Sequence, residues 1–372
     1  MPTVRSERVT REFIELVRID SPAGEEAVVA VELEARLGAL GLEVRNDRSG
    51  PSTGNLIARW EATGSGQPIL LTAHMDTVEP GRAVKPRLVD GVVASDGTTI
   101  LGADCKVGMA AILEGLRALG EAGTAHPLVE VVLTWGEEVG HLGARELDFG
   151  QFRARLGFCL DALCPVGTIV NHAPGYDRLR AVFKGRGAHA GVEPELGVSA
   201  IVAVAHAIAG MQLGRIDDET TANLGLIRGG TARNAVPSEV VVEGEARSRE
   251  AVKLAAQVAH MREWCQAGAR QVGAEVEFSA EHEYSAYRIP PDAPVARLAV
   301  AAARRAGLGP TFTATGGGSD ANNFNAAGLP TVVLGLGCTG AHTVRERVAI
   351  SQLVALARYV VALVEEAGQS TR

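Results

Sequence analysis

The sequence predicts an α/β protein: a mixed, mostly parallel sheet between helices, interrupted by a smaller α+β domain. Three observations lead there. Apolar runs recur at Pro68–Thr72, Leu128–Trp135, Leu156–Leu160 and Thr331–Leu336, each composed like a strand buried on both faces. Between about Tyr176 and Glu283 the pattern changes to alternating, half-exposed strands with two helices. And 372 residues exceed what one hydrophobic core usually carries, so two domains are expected.

Taken in order, Ser6–Ile19 has apolar residues at helical spacing and stops at Ser21-Pro22. A second amphipathic helix, Glu25–Leu40, ends at Gly41. Strands are expected at Leu42–Asn46, Asn55–Trp60 and from Pro68 into His74, with a short hairpin or surface excursion at Arg87–Ser95. A helix then runs from the Gly102-Ala103-Asp104 segment through Leu119. The inserted part reads β-α-β-β-α-β, the order of a ferredoxin-like split unit. Its hinges fall at Ala173-Pro174-Gly175 and Ile289-Pro290-Pro291, which predicts domains at 1–174, 175–288 and 289–372, the first and last forming one body. Beyond it come a helix at Ala293–Ala306, a strand at Thr311–Ala314, a helical stretch at Ala321–Ala327 and a closing helix at Ile350–Glu366.

Composition narrows the function classes. A formal net charge of −8 without any Lys/Arg block argues against nucleic acid. No apolar run approaches the ~20 residues of a membrane helix, and the first twenty residues lack the apolar core of a signal peptide. Five cysteines without metal-type pairing read as free thiols, so a reducing, cytoplasmic setting is expected.

Five metal-type side chains sit at equivalent places: His74, Asp104, Glu138, Asp161 and His342 each follow an apolar strand or precede a helix. Open α/β sheets bind ligands at the carboxyl edge of the strands, so one edge can gather all five. Singly, each has an ordinary explanation: His74 with Asp76 as a surface pair, Asp104 as a helix cap, Glu137-Glu138 as surface acids. Together, at strand ends, they do not. Two histidines with three carboxylates suit zinc, with cobalt or manganese as substitutes, and are too many for one catalytic ion. Asp76, two residues beyond His74 in extended chain, is placed to take the other imidazole N–H. Glu137, beside a ligand but not needed as one, can hold the attacking water and accept its proton.

His74-x-Asp76, Gly102-Ala103-Asp104-x-Lys106-x-Gly108, Glu137-Glu138, Leu160-Asp161 and the late His342 together resemble the M20 family of dinuclear zinc peptidases. The resemblance spans essentially the whole chain and implies a zinc-exopeptidase-like catalytic domain carrying a lid and dimerisation domain. It further implies two Zn2+ per chain, one on His74, Asp104 and Asp161 and the other on Asp104, Glu138 and His342. It is in keeping with Glu137 as general base and Asp76 as the carboxylate behind His74, and implies that His189 of Gly187-Ala188-His189-Ala190-Gly191 reaches a partner's active site. Asn234 and Arg247 resemble the lid's substrate anchors. The Gly316-Gly317-Gly318-Ser319-Asp320 and Asp161-Ala162 segments point to the peptidase T-like branch.

Amides of Gly317, Gly318 and Ser319 at a helix start suit a carboxylate, and Asp320 is one acid that could meet an α-amino group. The expected activity is therefore amide hydrolysis in short peptides by a homodimeric tripeptide aminopeptidase. N-acyl amino acid deacylation and carboxypeptidase action are the alternatives, and a non-catalytic binding protein is the remaining one. Cys105 after the bridging Asp104, and Leu163-Cys164 after Asp161, depart from the family pattern and bear on substrate preference.

Overall fold

A computed structural model of the protein describes residues 1–369. They form two compact units: 1–171 with 288–314 and 319 onward, and 172–287 with 315–318.

In the first unit, four strands at the centre of the sheet run parallel in the order Val129–Thr134, Ile69–His74, Leu156–Ala162, Thr331–Gly335. Antiparallel strands flank them, Leu56–Trp60 and Glu43–Asn46 on one side and Thr168–Ala173 on the other. The parallel part is thus confined to the four mostly apolar strands. Ile69–His74 and Val129–Thr134 are buried at every position, which is why neither alternates.

Register makes the strand ends coincide. His74 pairs with Thr134, and Thr72 pairs with Cys159, so two residues on His74 stands level with Asp161. The helix Ala103–Glu121 is buried along most of its length and packs against the closing helix Ile350–Gln369. Gly115 permits that approach, since a β-carbon there would lie 2.6 Å from Val360 Cγ1.

A small second sheet was not legible in the sequence beyond its first hairpin. Arg87–Val89 and Val92–Ala94 pair, and Val92–Ala94 then pairs with Arg347–Ala349, itself paired with Cys338–Thr339. Two- and three-residue strands carry too little periodicity to be read, yet this sheet anchors both ends of the 340–346 loop that holds His342.

The second unit has strands in the order Thr220–Gly229, Glu239–Ser248, Gly175–Lys184, Glu275–Tyr284, all antiparallel, with Gly214–Arg215 at one edge. Helices Ala200–Gly210 and Ala251–Val272 pack on it through Ala203, Ala207, Met261 and Cys265 against Phe183, Val242 and Leu179. This is the β-α-β-β-α-β order expected. Among the described residues, no helix is long and apolar enough to cross a membrane.

Candidate metal and catalytic site

The carboxyl ends of the parallel strands bring His74, Asp104, Glu137, Glu138, Asp161 and His342 together. His74 Nε2 lies 3.2 Å from Asp104 Oδ1 and 3.4 Å from Asp161 Oδ1. His342 Nε2 lies 3.3 Å from the other oxygen of Asp104 and 3.0 Å from Glu138 Oε1. Asp104 therefore turns one oxygen to each histidine.

Local structure explains how each side chain arrives. Gly102 has φ +75, a left-handed turn that costs glycine little, and Asp104 keeps an extended ψ of 106 inside the helix span. Asp104 is thereby turned out of the first helical turn instead of capping it. Glu346, fully buried, accepts the N–H groups of Leu101, Gly102 and Asp104 at 2.8, 2.7 and 3.1 Å and fixes that turn. The Gly136–Glu138 turn is gripped the same way. Glu26 accepts the Gly136 N–H at 3.0 Å, and Asp76 accepts those of Glu137 and Glu138 at 2.9 and 3.0 Å.

Asp76 thus does more than the spacing suggested. Its main-chain oxygen lies 2.9 Å from His74 Nδ1 and its carboxylate 3.4 Å from the same atom. One residue sets the imidazole and the acid turn together.

Burial and crowded charge perturb four of the acids here, Asp161, Glu137, Asp320 and Asp104. Burial and the neighbouring Asp104 charge push the Asp161 carboxyl up to about 8, against the pull of His74. Burial, then Asp161, also lifts Glu137 well above the carboxylate range. Burial lifts Asp320 to about 6. Burial opposes ionisation of Asp104 as well, but bonds from His342 and His74 outweigh it and hold this carboxyl down. The carboxylates of Asp104 and Glu138 facing it raise His342 to about 10. Without an ion, protons neutralise this cluster.

The residues fit a pair of divalent cations. Donor separations of 3.0–3.4 Å are those of neighbours around one ion at ~2.0–2.2 Å. Glu138 Oε1 is buried and, although His342 is near, the contact is not aligned as a hydrogen bond and leaves the oxygen without a partner. Carboxylate oxygens with imidazole nitrogens are the donors borderline ions prefer. Cys105 lies in the same cluster, but its buried thiol donates to the Leu160 carbonyl at 2.6 Å, and burial raises its pKa.

Sequence reasoning missed Glu26, Glu346 and His141. Nothing in their spacing marks them: they act through backbone contacts or from a turn. His141 Nε2 lies 3.3 Å from Glu137 Oε1, and its Nδ1 lies 3.4 Å from Asn323 Nδ2. Asp320 is buried beneath the strand ends and accepts from the Thr134 hydroxyl, its second oxygen lacking a hydrogen-bond partner.

Other predicted residues lie in the second unit. His189 and Asn234 sit on adjoining segments, joined by Ala190 N–H to Asn234 O at 2.9 Å and Val236 N–H to Ala188 O at 2.9 Å, and both side chains are exposed. Arg247 donates twice to Glu245, at 3.0 Å each, and lies 4.6 Å over the Tyr176 ring. Gly318 abuts Tyr284, where a β-carbon would be 2.3 Å from Cζ. Gly317 N–H donates to Thr315 Oγ1 at 3.1 Å. In the first unit, Ser319 N–H donates to Asn322 Oδ1 at 3.1 Å as the start of helix Asp320–Ala326.

Residues 70–366 match the model of peptidase family M20/M25/M40. The crystal structure of aminopeptidase PepT from Bacillus cereus is 42% identical, with a TM-score of 0.91 over 98% of this chain and 99% of that one. That of a tripeptidase from Staphylococcus aureus is 39% identical, with a TM-score of 0.95 over 99% and 100%. A Bacillus subtilis protein described as uncharacterized, YqjE, is 42% identical over 98% of this chain and all of its own.

Proposed function

The chain belongs to peptidase family M20/M25/M40 and is a metallopeptidase, and from that premise we propose a dinuclear zinc aminopeptidase acting on short peptides, tripeptides foremost. One observation carries the dinuclear reading: Asp104 offers one oxygen to His74 and the other to His342. In this reading His74, Asp104 and Asp161 hold one zinc, and Asp104, Glu138 and His342 the other, with Co2+ or Mn2+ as substitutes. When bound, the ions supply Lewis acidity toward the scissile carbonyl and make water more acidic.

The remaining work falls to side chains. Glu137, buried beside the cluster and of raised proton affinity, takes the proton of the attacking water and delivers it to the leaving amine. Asp76 holds Glu137 and His74 in mutual register. His189 of a partner subunit stabilises the oxyanion, Asn234 and Arg247 contact substrate, and the second unit serves as lid and dimerisation domain. For Arg247 this means exchanging Glu245 for a substrate carboxylate. The Gly317-Gly318-Ser319 segment flanks the same substrate. Five free cysteines are in keeping with a cytoplasmic, reducing setting.

The similarity to an aminopeptidase and a tripeptidase favours a free amino terminus over an acylated one. The zinc-loaded protein should hydrolyse Xaa-Gly-Gly tripeptides and leave their N-acetylated forms and N-acetyl amino acids nearly untouched. Equal or faster turnover of acetylated substrates would mean a deacylase. Turnover of none, with both ions bound, would mean a binding protein. If His189 acts across subunits, mixing His189→Ala and Glu137→Gln chains restores part of the activity, because one site of each mixed dimer is intact. A fully active monomer contradicts that arrangement.

A further inference from the structure

We propose that His141 is a positioning residue for Glu137, held in one tautomer by Asn323; this rests on Glu137 being the general base. His141 stands four residues after Glu137, and its backbone N–H donates to the Glu137 carbonyl at 2.8 Å. It adopts φ +55, ψ 37, the left-handed region that residues with a β-carbon seldom occupy. That conformation tops the short helix Leu142–Arg145 and leaves the ring beside Glu137, with Nε2 3.3 Å from Oε1. The residue is buried, 5% exposed, so water does not compete for the ring.

The tautomer follows from the third partner. Asn323 Nδ2, on helix Asp320–Ala326, has only N–H groups to offer and lies 3.4 Å from His141 Nδ1. Nδ1 therefore accepts, and the ring proton sits on Nε2, aimed at Glu137 Oε1. A neutral imidazole donating to one carboxylate oxygen fixes the rotamer of Glu137 and leaves Oε2 for the proton of water. The chain Asn323, His141, Glu137 supports the side chain of the base, while Asp76 holds its backbone.

Three variants of the zinc-loaded full chain test this: His141→Phe, His141→Gln and Asn323→Asp. His141→Phe should lower kcat on a tripeptide roughly 10–100-fold, the range for an outer partner of a catalytic group, with KM and bound metal unchanged. His141→Gln, whose amide can still donate, should recover most of the loss. Asn323→Asp, an acceptor in place of a donor, should draw the proton to Nδ1 and lower kcat like His141→Phe. Long-range 15N spectra of the histidine ring in the metal-free chain give a readout independent of activity: Nε2–H in the native protein, Nδ1–H in Asn323→Asp. A native spectrum showing Nδ1–H, or full kcat in His141→Phe while Glu137→Gln is inactive, overturns the proposal. Full turnover by Glu137→Gln would instead refute the assignment of the base.

Discussion

The two halves of the cluster share Asp104 but are built differently. On one side, His74 ends a fully buried parallel strand, 2% exposed, and its Nδ1 is fixed by the Asp76 main chain. Asp161 lies on the neighbouring parallel strand, level with it. On the other side, His342 is 47% exposed with φ +60, on a loop between strands of two and three residues. Glu138 sits on a turn. Donors borne by a hydrogen-bonded sheet are set before any ion arrives. Donors borne by loops must be ordered by it, at an entropic cost. The deep half should bind its ion first and release it last.

The widest gap between the halves should appear on truncation. His74→Ala removes the preset side, and we expect neither ion to be retained and hydrolysis to fall to background, because Asp104 loses its fixed partner too. His342→Ala should keep one ion and lose the other. Elemental analysis after dialysis against a weak chelator measures both. Equal metal content in the two variants would erase the distinction, and a reversed order would invert it.

Proton linkage gives the next largest effect. At pH 7 the ion-free chain holds protons on Asp161, raised to about 8, and on His342, raised to about 10. Both folded values lie above the ordinary ones, so the stability these groups contribute is present at lower pH and is lost as pH rises through 8 and 10. The metal-free protein should therefore lose thermal stability as pH rises from the ordinary value of each group to its folded one, from 3.8 to about 8 for Asp161 and from 6.5 to about 10 for His342, while the loaded protein, whose ligands carry no protons, should not. Loading at pH 7 should release protons, and affinity should climb with pH across that range. Calorimetric titration in buffers of different ionisation heat counts them. Two titration phases, Asp161 in the first, would sharpen the contrast between halves; no proton release would remove its basis.

Legibility in the sequence followed the same division. The four apolar strands and the acids at their ends could be read because burial on both faces leaves a continuous apolar run that stops where chemistry begins. The ferredoxin-like order of the second unit was readable for the converse reason, its half-exposed strands alternating. The sheet that carries the His342 loop was not readable, since strands of two and three residues have no period. Nor were Glu26 and Glu346, each more than 100 residues from the turn it grips. A buried carboxylate bonded to backbone N–H groups resembles any surface acid until the fold closes around it. For Asp104 the sequence offered a helix cap when taken singly and a metal ligand when taken with the others; the left-handed Gly102 and extended ψ that turn its side chain show only in the backbone angles.

Glu346 allows the smallest and most discriminating test, because it acts on the residue both halves share. Its two oxygens accept three N–H groups around Asp104, and all these atoms are buried. Glu346→Gln keeps the shape but exchanges one acceptor for an NH2 facing a backbone donor. Leaving a buried donor unsatisfied costs about 1–3 kcal/mol, so the thermal midpoint should fall by a few degrees in loaded and metal-free protein alike. If the clamp also aims Asp104, affinity for both ions should weaken by a similar factor, near tenfold, because one carboxylate serves both. Weakening confined to the exposed half would show that the sheet side holds Asp104 through His74 alone. Unchanged affinity with lowered stability would reduce Glu346 to a support of the helix start, with no part in aiming the bridge.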